Sequence, residues 1–261
     1  MQNIKIIFVD IDWTILDHEK HDFDYESITA LNKARENGYL VFICTARPYD
    51  SVKKTGLLNH LNVNGLICTN GATGFINDEL LFADNFPKEV VKSIVDTCNS
   101  HGLTLELSTE KERFFSREKN YFVEAFFASY DEKMPPIKEN YDEENVSAIL
   151  LFSDEQSDEM LKSELPEGVN IFRFAPCAAD LNLIPSSKAK GIKRVLEKLN
   201  LKKEDAMGIG DDYGDIPMFE SVGLAIAMEN GVEEAKKSSH FVTKAVKESG
   251  VKHALEHFHI I

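Results

Sequence analysis

Apolar and polar positions follow two periods along this chain. Positions 4–9 are a short apolar run rich in β-branched residues, which predicts a buried strand ending at Asp10. Helical spacing follows over 25–37, closed by Gly38. A second strand is predicted at 39–44, ending at Thr45, then a helix at 50–61 and a short strand at 66–68, ending at Thr69 and Asn70. Strand–helix–strand–helix–strand is the pattern of a parallel sheet with helices on its faces. It returns late in the chain. Residues 187–199 place Ile192, Val195, Leu196 and Leu199 on one helical stripe. Strands are expected at 206–209, 224–227 and 241–243, and helices at 216–221, 232–237 and 251–258.

The middle of the chain reads differently. A helix over 88–101 precedes strand-like runs at 103–108 and 113–116, and 121–130 reads as helix or strand. A polar loop holding Pro135 and Pro136 leads to a strand at 146–152, a helix at 157–163, and strands at 169–174 and 180–184. The expected fold class is therefore α/β: a Rossmann-like parallel sheet core formed by 1–82 and 186–261, with an α+β domain inserted at 83–185. Neither internal repeats nor low-complexity tracts are visible.

Composition narrows the partners. The chain has 261 residues, 29 Lys plus Arg against 44 Asp plus Glu, and a net charge of −15. An acidic surface repels nucleic acid and anionic lipid, so neither is expected as a partner, and an anionic ligand would need a local cation. The opening MQNIKIIFVD has no basic segment before an apolar one, and no signal peptide or membrane span is expected. Cys44, Cys68, Cys98 and Cys177 form no CxxC pair and read as thiols of a reducing, cytoplasmic compartment. His253 and His257 stand four apart, but without further ligands they read as a solvated helix face. Oligomeric state is not legible.

In open parallel sheets, ligands bind beyond the carboxyl ends of the strands. The polar residues at those ends are Asp10 and Asp12, Thr45 with Arg47, Thr69 with Asn70, and Asp211, Asp212 and Asp215. One aspartate there is an ordinary turn residue. Several carboxylates converging on one crevice repel each other and persist only around a cation.

These stretches carry a resemblance. Asp10-Ile11-Asp12-Trp13-Thr14 resembles DxDxT, the first motif of the haloacid dehalogenase superfamily. Ile43-Cys44-Thr45-Ala46-Arg47-Pro48 resembles the second, Ser187-Lys188-Ala189-Lys190-Gly191 the third, and Gly210-Asp211-Asp212-Tyr213-Gly214-Asp215 the fourth, GDxxxD. All four stand in the family's order. Thr69-Asn70-Gly71-Ala72 and Phe241-Val242-Thr243 resemble the Cof-type sugar-phosphatase branch, and the insertion has the size and place of its C2-type cap.

The resemblance implies an Mg2+-dependent phosphatase acting on a small phosphorylated metabolite. Asp10 would be the nucleophile and Asp12 the general acid and base, which calls for a raised pKa on Asp12. Mg2+ would be held by Asp10, Asp211, the Asp12 carbonyl and Asp215, the last directly or through a neighbour. Thr45 and Lys188 would hold phosphoryl oxygens; the spacing to Ile192 favours Lys188 over Lys190. Arg47 and Asn70, and Arg173 and Asp180 in the insertion, are candidate substrate contacts. Loop ties or surface ion pairs are the alternatives for these four.

The chain also departs from the family. Trp13 stands where glycine is usual, Gly214 where asparagine is usual, and Glu229-Asn230 where Gly-Asn is usual. A phosphomutase of the same fold and an inactive ligand-binding homologue remain alternatives. A nucleotide-binding module is disfavoured, because Tyr213 breaks the only approximation to GxGxxG and no GxxxxGK[ST] exists.

Overall fold

Ile6, Ile7, Phe8 and Val9 have no solvent exposure, the state of a strand covered on both faces. In the computed structural model, which describes residues 4–130, 133–138, 140, 141, 144–183 and 187–261, they form β1 (Ile6–Val9). A short antiparallel pair follows, β2 (Leu16–Asp17) and β3 (Asp22–Phe23), then α1 (Tyr25–Glu36), β4 (Leu40–Cys44), α2 (Tyr49–Lys54), β5 (Gly65–Cys68), β6 (Thr73–Ile76) and β7 (Glu79–Ala83). Next come α3 (Lys88–Ser100), β8 (Thr104–Ser108), β9 (Arg113–Phe115), α4 (Tyr121–Tyr130), β10 (Ala148–Phe152), α5 (Glu155–Leu161), β11 (Asn170–Ala175) and β12 (Ala178–Asn182). The last stretch holds α6 (Lys188–Lys198), β13 (Ala206–Gly210), α7 (Ile216–Glu220), β14 (Leu224–Ala227), α8 (Glu233–Ser238), β15 (Phe241–Val242) and α9 (Gly250–His257).

The residues group into two compact units. The first comprises Met1–Arg47, Gly56–Phe82 and Ser187–Ile261. Its eight-stranded sheet has the order β15-β14-β13-β1-β4-β5-β6-β7. The strands from β15 to β5 run parallel, and β6 is antiparallel to β5. After β1 the chain builds one side of the sheet with β4 and β5, and later the other side with β13, β14 and β15. β1 and β13 therefore flank the point where the strand order reverses, which is where such sheets bind ligands. Val9 pairs with Ile209 on one side and Ile43 on the other, so the residues just beyond all three strands lie at one edge.

The sheet is anchored by apolar packing. Phe8, Phe42 and Ile67 pack with Ile192, Val195 and Leu196 of α6 and with Met218 and Phe219 of α7. Each such side chain contributes roughly 1.5–3 kcal/mol when fully buried. α6 presents Lys188 in the same buried set as Ile192, so the helix that closes the core also carries a cation inward. α1 packs against α9.

The second unit comprises Pro48–Thr55 and Ala83–Ser186. Its five-stranded antiparallel sheet has the order β11-β12-β10-β8-β9. Val91, Ile94, Val95 and Cys98 of α3 pack with Leu105, Leu107, Ile149 and Leu151 on one face. Val123 and Phe127 of α4 pack with Phe115 and Phe152 on the other. The segment 121–130, ambiguous by pattern, is a helix.

Three expectations are corrected. The helix expected at 50–61 stops at Lys54, because Gly56 takes a left-handed φ of 80° and a 3-10 turn, Leu57–Asn59, follows. β6 and β7 were not expected at all; Asn77 and Asp78 both have positive φ (50° and 64°) and make the tight turn between them. Pro48–Thr55 groups with the second unit, where Asp50 accepts a hydrogen bond from the buried Arg113. The expected strand at 180–184 extends onto Ile184, which lies outside the described residues.

Candidate active site

The residues beyond β1, β4, β5 and β13 converge. Asp10 follows β1, and its N–H continues the ladder to the Ile209 carbonyl at 3.0 Å. Lys188, at the first turn of α6, donates to Asp10 Oδ1 at 2.8 Å and to Asp215 Oδ1 at 2.6 Å. Lys188 is thus the lysine of its motif that reaches the carboxylates. Asp215 Oδ2 accepts the backbone N–H groups of Asp211 (2.8 Å) and Asp212 (3.1 Å). That single side chain fixes the loop after β13 and seats the lysine. Thr14 donates its hydroxyl to Asp211 Oδ1 at 3.0 Å.

Carboxylate oxygens of Asp10, Asp211 and Asp215 lie within 4.8 Å of one another, and all three residues are buried. One ammonium faces three carboxylates. Taking each charge from water costs several kcal/mol, which a single ion pair does not offset for all of them. Burial, reinforced by the charge of Asp215 and Asp12, pushes the Asp10 carboxyl above its ordinary range despite Lys188. Burial with the charges of Asp10 and Asp215 pushes Asp211 up to about 9. Burial works against the Lys188 ammonium, but Asp10 and Asp215 hold it above its usual value. Hard oxygen donors gathered around a deficit of positive charge fit a divalent cation, which Asp10, Asp211 and Asp215 would hold.

Asp12 has a different environment. Arg47 grips it with two hydrogen bonds, Nε to Oδ2 at 2.8 Å and Nη2 to Oδ1 at 2.7 Å, and His18 Nε2 stands 2.7 Å from Oδ1. Burial pushes its carboxyl up, but the Arg47 and His18 contacts outweigh burial and hold it well below the ordinary range. The raised pKa expected for Asp12 is corrected on this ground: its carboxylate is held by hydrogen bonds from Arg47 and His18. Its carboxylate also stands outside the acidic triad.

Thr45 is fully buried, and its Oγ1 accepts the N–H of Arg47 at 3.1 Å while its carbonyl accepts the N–H of Asn70 at 3.1 Å. Thr69, Asn70 and Gly71 all have positive φ (55°, 49° and 87°). Gly71 permits a close approach, since a Cβ there would stand 2.2 Å from the Ser187 carbonyl. Asn70 is thereby brought beside the first turn of α6. In the second unit, Arg173 forks onto Asp158 at 2.7 and 2.6 Å and also donates to the Ser153 and Asp154 carbonyls. Asp180 lies on β12, where burial raises its carboxyl to about 6. His253 and His257 stack on Phe241 with near-parallel rings, the geometry of packing rather than of converging ligands.

Two residues at the site were given no role from the sequence: Thr14 and His18. Thr14 is part of the first motif, so its signal was present, whereas His18 reaches the site only through the fold. Asn230, noted beside Glu229, donates its Nδ2–H to the Trp13 carbonyl at 2.9 Å.

Gly210 offers a check on this packing. A Cβ at position 210 would stand 2.3 Å from Asp215 Cγ and 2.4 Å from its Oδ2. Gly210→Ala is expected to destabilise the protein by about 1–3 kcal/mol, the usual range for overpacking. An unchanged urea midpoint would show that the loop relaxes freely.

Known proteins resemble this chain along most of its length. The profile of the haloacid dehalogenase-like hydrolases matches residues 7–255. The 5-amino-6-(5-phospho-D-ribitylamino)uracil phosphatase YwtE of Bacillus subtilis strain 168 is 30% identical over 286 residues, covering 97% of this chain and 97% of that protein. BT1666 of Bacteroides thetaiotaomicron, described among phosphatases of the same superfamily, superposes with a TM-score of 0.84 at 26% identity, over 99% of this chain and 96% of that one. The subclass IIB sugar phosphatase BT4131 gives a TM-score of 0.83 at 28% identity, over 98% and 100%.

Proposed function

The chain belongs to the haloacid dehalogenase-like hydrolases, and from that premise we propose that it is a magnesium-dependent phosphatase of small phosphorylated metabolites, sugar phosphates foremost. The observation that carries this reading is the buried set at the sheet's switch point: Asp10 beside Lys188, with Asp211 and Asp215 within 4.8 Å. The substrate class is suggested by two of the similar proteins, one named for a phosphorylated ribityl compound and one as a sugar phosphatase.

In this reading a carboxylate oxygen of Asp10 attacks phosphorus as the bond to the leaving oxygen breaks, giving an aspartyl-phosphate and an alcohol. Asp12, ionised in the free protein, takes up a proton with the incoming phosphate monoester and gives it to the departing oxygen. Water then attacks the aspartyl-phosphate, Asp12 takes a proton from it, and phosphate leaves with Asp10 restored. The hydrogen bonds of Arg47 and His18 keep Asp12 ionised, which suits the second half of this cycle, when it must accept a proton. Lys188 and Thr45 hold phosphoryl oxygens, and most of the acceleration is positioning and charge neutralisation. Asp10, Asp211 and Asp215, with the Asp12 carbonyl, would hold a magnesium ion, which would supply further positive charge to the site.

We assign catalysis to residues 1–82 and 186–261 and the choice of substrate to the segment 83–185, with Asn70, Arg47, Asp180 and Arg173 as candidate contacts. The free thiols at all four cysteines support a cytoplasmic setting. Among the described residues no helix is long and apolar enough to cross a membrane.

The test is a phosphate-release screen over phosphorylated sugars, polyols and nucleotides with Mg2+. Free phosphate from at least one sugar or polyol phosphate is expected. An isomerised product without free phosphate would make the protein a mutase, and silence across the panel would remove the reading.

A further inference from the structure

Trp13 holds a backbone conformation that residues with a side chain avoid: its φ is 58°, in the left-handed region. The surroundings enforce it. Its N–H donates to the Leu16 carbonyl at 2.9 Å and its own carbonyl accepts from Asn230 Nδ2 at 2.9 Å. Asn230 is fixed in turn, because its Oδ1 accepts the N–H of Val246 at 2.8 Å. A strained residue that its surroundings over-determine points to a use.

That use is not core packing, since Trp13 is 39% exposed. The indole lies against the His18 imidazole, with ring centroids 5.1 Å apart and planes inclined at 45°. His18 stands in the turn between β2 and β3, and its Nε2 is 2.7 Å from Asp12 Oδ1. A ring contact of this kind restricts how an imidazole can turn. The contacts therefore run from Asn230 through Trp13 and His18 to the carboxylate expected to move protons.

We propose that Trp13 and His18 are positioning residues for Asp12, the indole steadying the imidazole and the imidazole fixing Oδ1 toward the leaving group. The inference rests on the phosphatase reading and adds to it two side chains with no part in binding metal or phosphate. Arg47 also holds Asp12, but on a long side chain with many rotatable bonds, 35 residues away in sequence. His18 reaches it from only six residues away through two rotatable bonds, with the Trp13 ring against its imidazole. The imidazole is thus a second support for Asp12, on an element separate from that of Arg47. A proton donor matters most where the leaving group is a poor one, so misplacing Asp12 should show in leaving-group dependence rather than in binding.

The experiment compares kcat and KM, with Mg2+, for p-nitrophenyl phosphate and for the sugar phosphate that the unaltered protein hydrolyses fastest. His18→Ala and Trp13→Gly are each expected to lower the ratio of sugar-phosphate kcat to aryl-phosphate kcat about tenfold, with both KM values within about twofold. Glycine accepts the backbone at position 13, so that variant is expected to fold, and a melting curve checks both. His18→Gln keeps an N–H donor and should restore most of the ratio, as should Trp13→Phe through its ring. An unchanged ratio in His18→Ala, an equal loss on both esters, or a His18→Gln as impaired as His18→Ala would overturn the inference. If the unaltered protein released phosphate from no ester, the phosphatase reading itself would fail; an active protein with unmoved ratios removes only the positioning role.

Discussion

Asp10→Asn is expected to abolish phosphate release while leaving the protein folded. An amide oxygen is a far weaker nucleophile than a carboxylate, and removing the nucleophile of a covalent mechanism costs roughly 10^3–10^6 in kcat. Stability should move the other way, if at all. Asp10 is buried among Asp211 and Asp215 with its carboxyl pushed above the ordinary range, so a neutral amide relieves repulsion in the metal-free protein. The checks are phosphate release under saturating substrate and a melting curve at neutral pH. Near-normal turnover in this variant would remove Asp10 from the role given to it.

Stripping metal should have an effect of similar size. EDTA is expected to abolish turnover and Mg2+ to restore it, whereas Ca2+, with its larger and looser shell, should bind but support turnover poorly. The metal-free protein should also show a distinctive response to pH. Folding raises the carboxyls of Asp10 and Asp211, the latter to about 9, so the folded state binds more protons than the unfolded one above the ordinary carboxylate range. Their contribution is fully present below that range and is lost as pH rises toward 9. Bound metal replaces those protons, so the rise in Tm on adding Mg2+ should be larger at pH 8.5 than at pH 6. At about 100 times its Kd, a ligand adds roughly 2.7 kcal/mol, or about 5–10 °C for a chain of this size. A Tm indifferent to Mg2+, or a larger gain at pH 6, would refute the acidic triad as the metal site.

The core was legible because three of its buried strands end abruptly in a polar residue. β1 gives way to Asp10, β4 to Thr45 and β13 to Asp211, and three such switches at one end of a sheet covered on both faces mark a crevice rather than separate turns. The β6–β7 turn was legible in principle, since Asn77-Asp78 between two apolar runs is a hairpin signal. The alternation of strands and helices on either side masks it. The break after Lys54 also lay in view at Gly56, but a lone glycine in a helical pattern is compatible with continuation. The state of Asp12 was not legible at all. It depends on Arg47, 35 residues away, whose fork folding brings onto the carboxylate, and on a histidine outside every motif. Spacing tells which residues end strands, but not which counter-ion each one meets.

Asp215 has a consequence for how such a protein can change over generations. One carboxylate oxygen holds the loop that presents Asp211, and the other holds Lys188. The loop's shape, the acidic triad and the lysine are therefore coupled through one side chain, and loss of Asp215 would leave the loop without its two backbone ties and Lys188 with Asp10 alone. A lineage drifting from catalysis toward mere ligand binding disturbs three features at once when it changes this position. Its descendants should have shed positions 188, 211 and 215 as a set, while the apolar faces of α6 and β13, which serve the core alone, could survive unchanged.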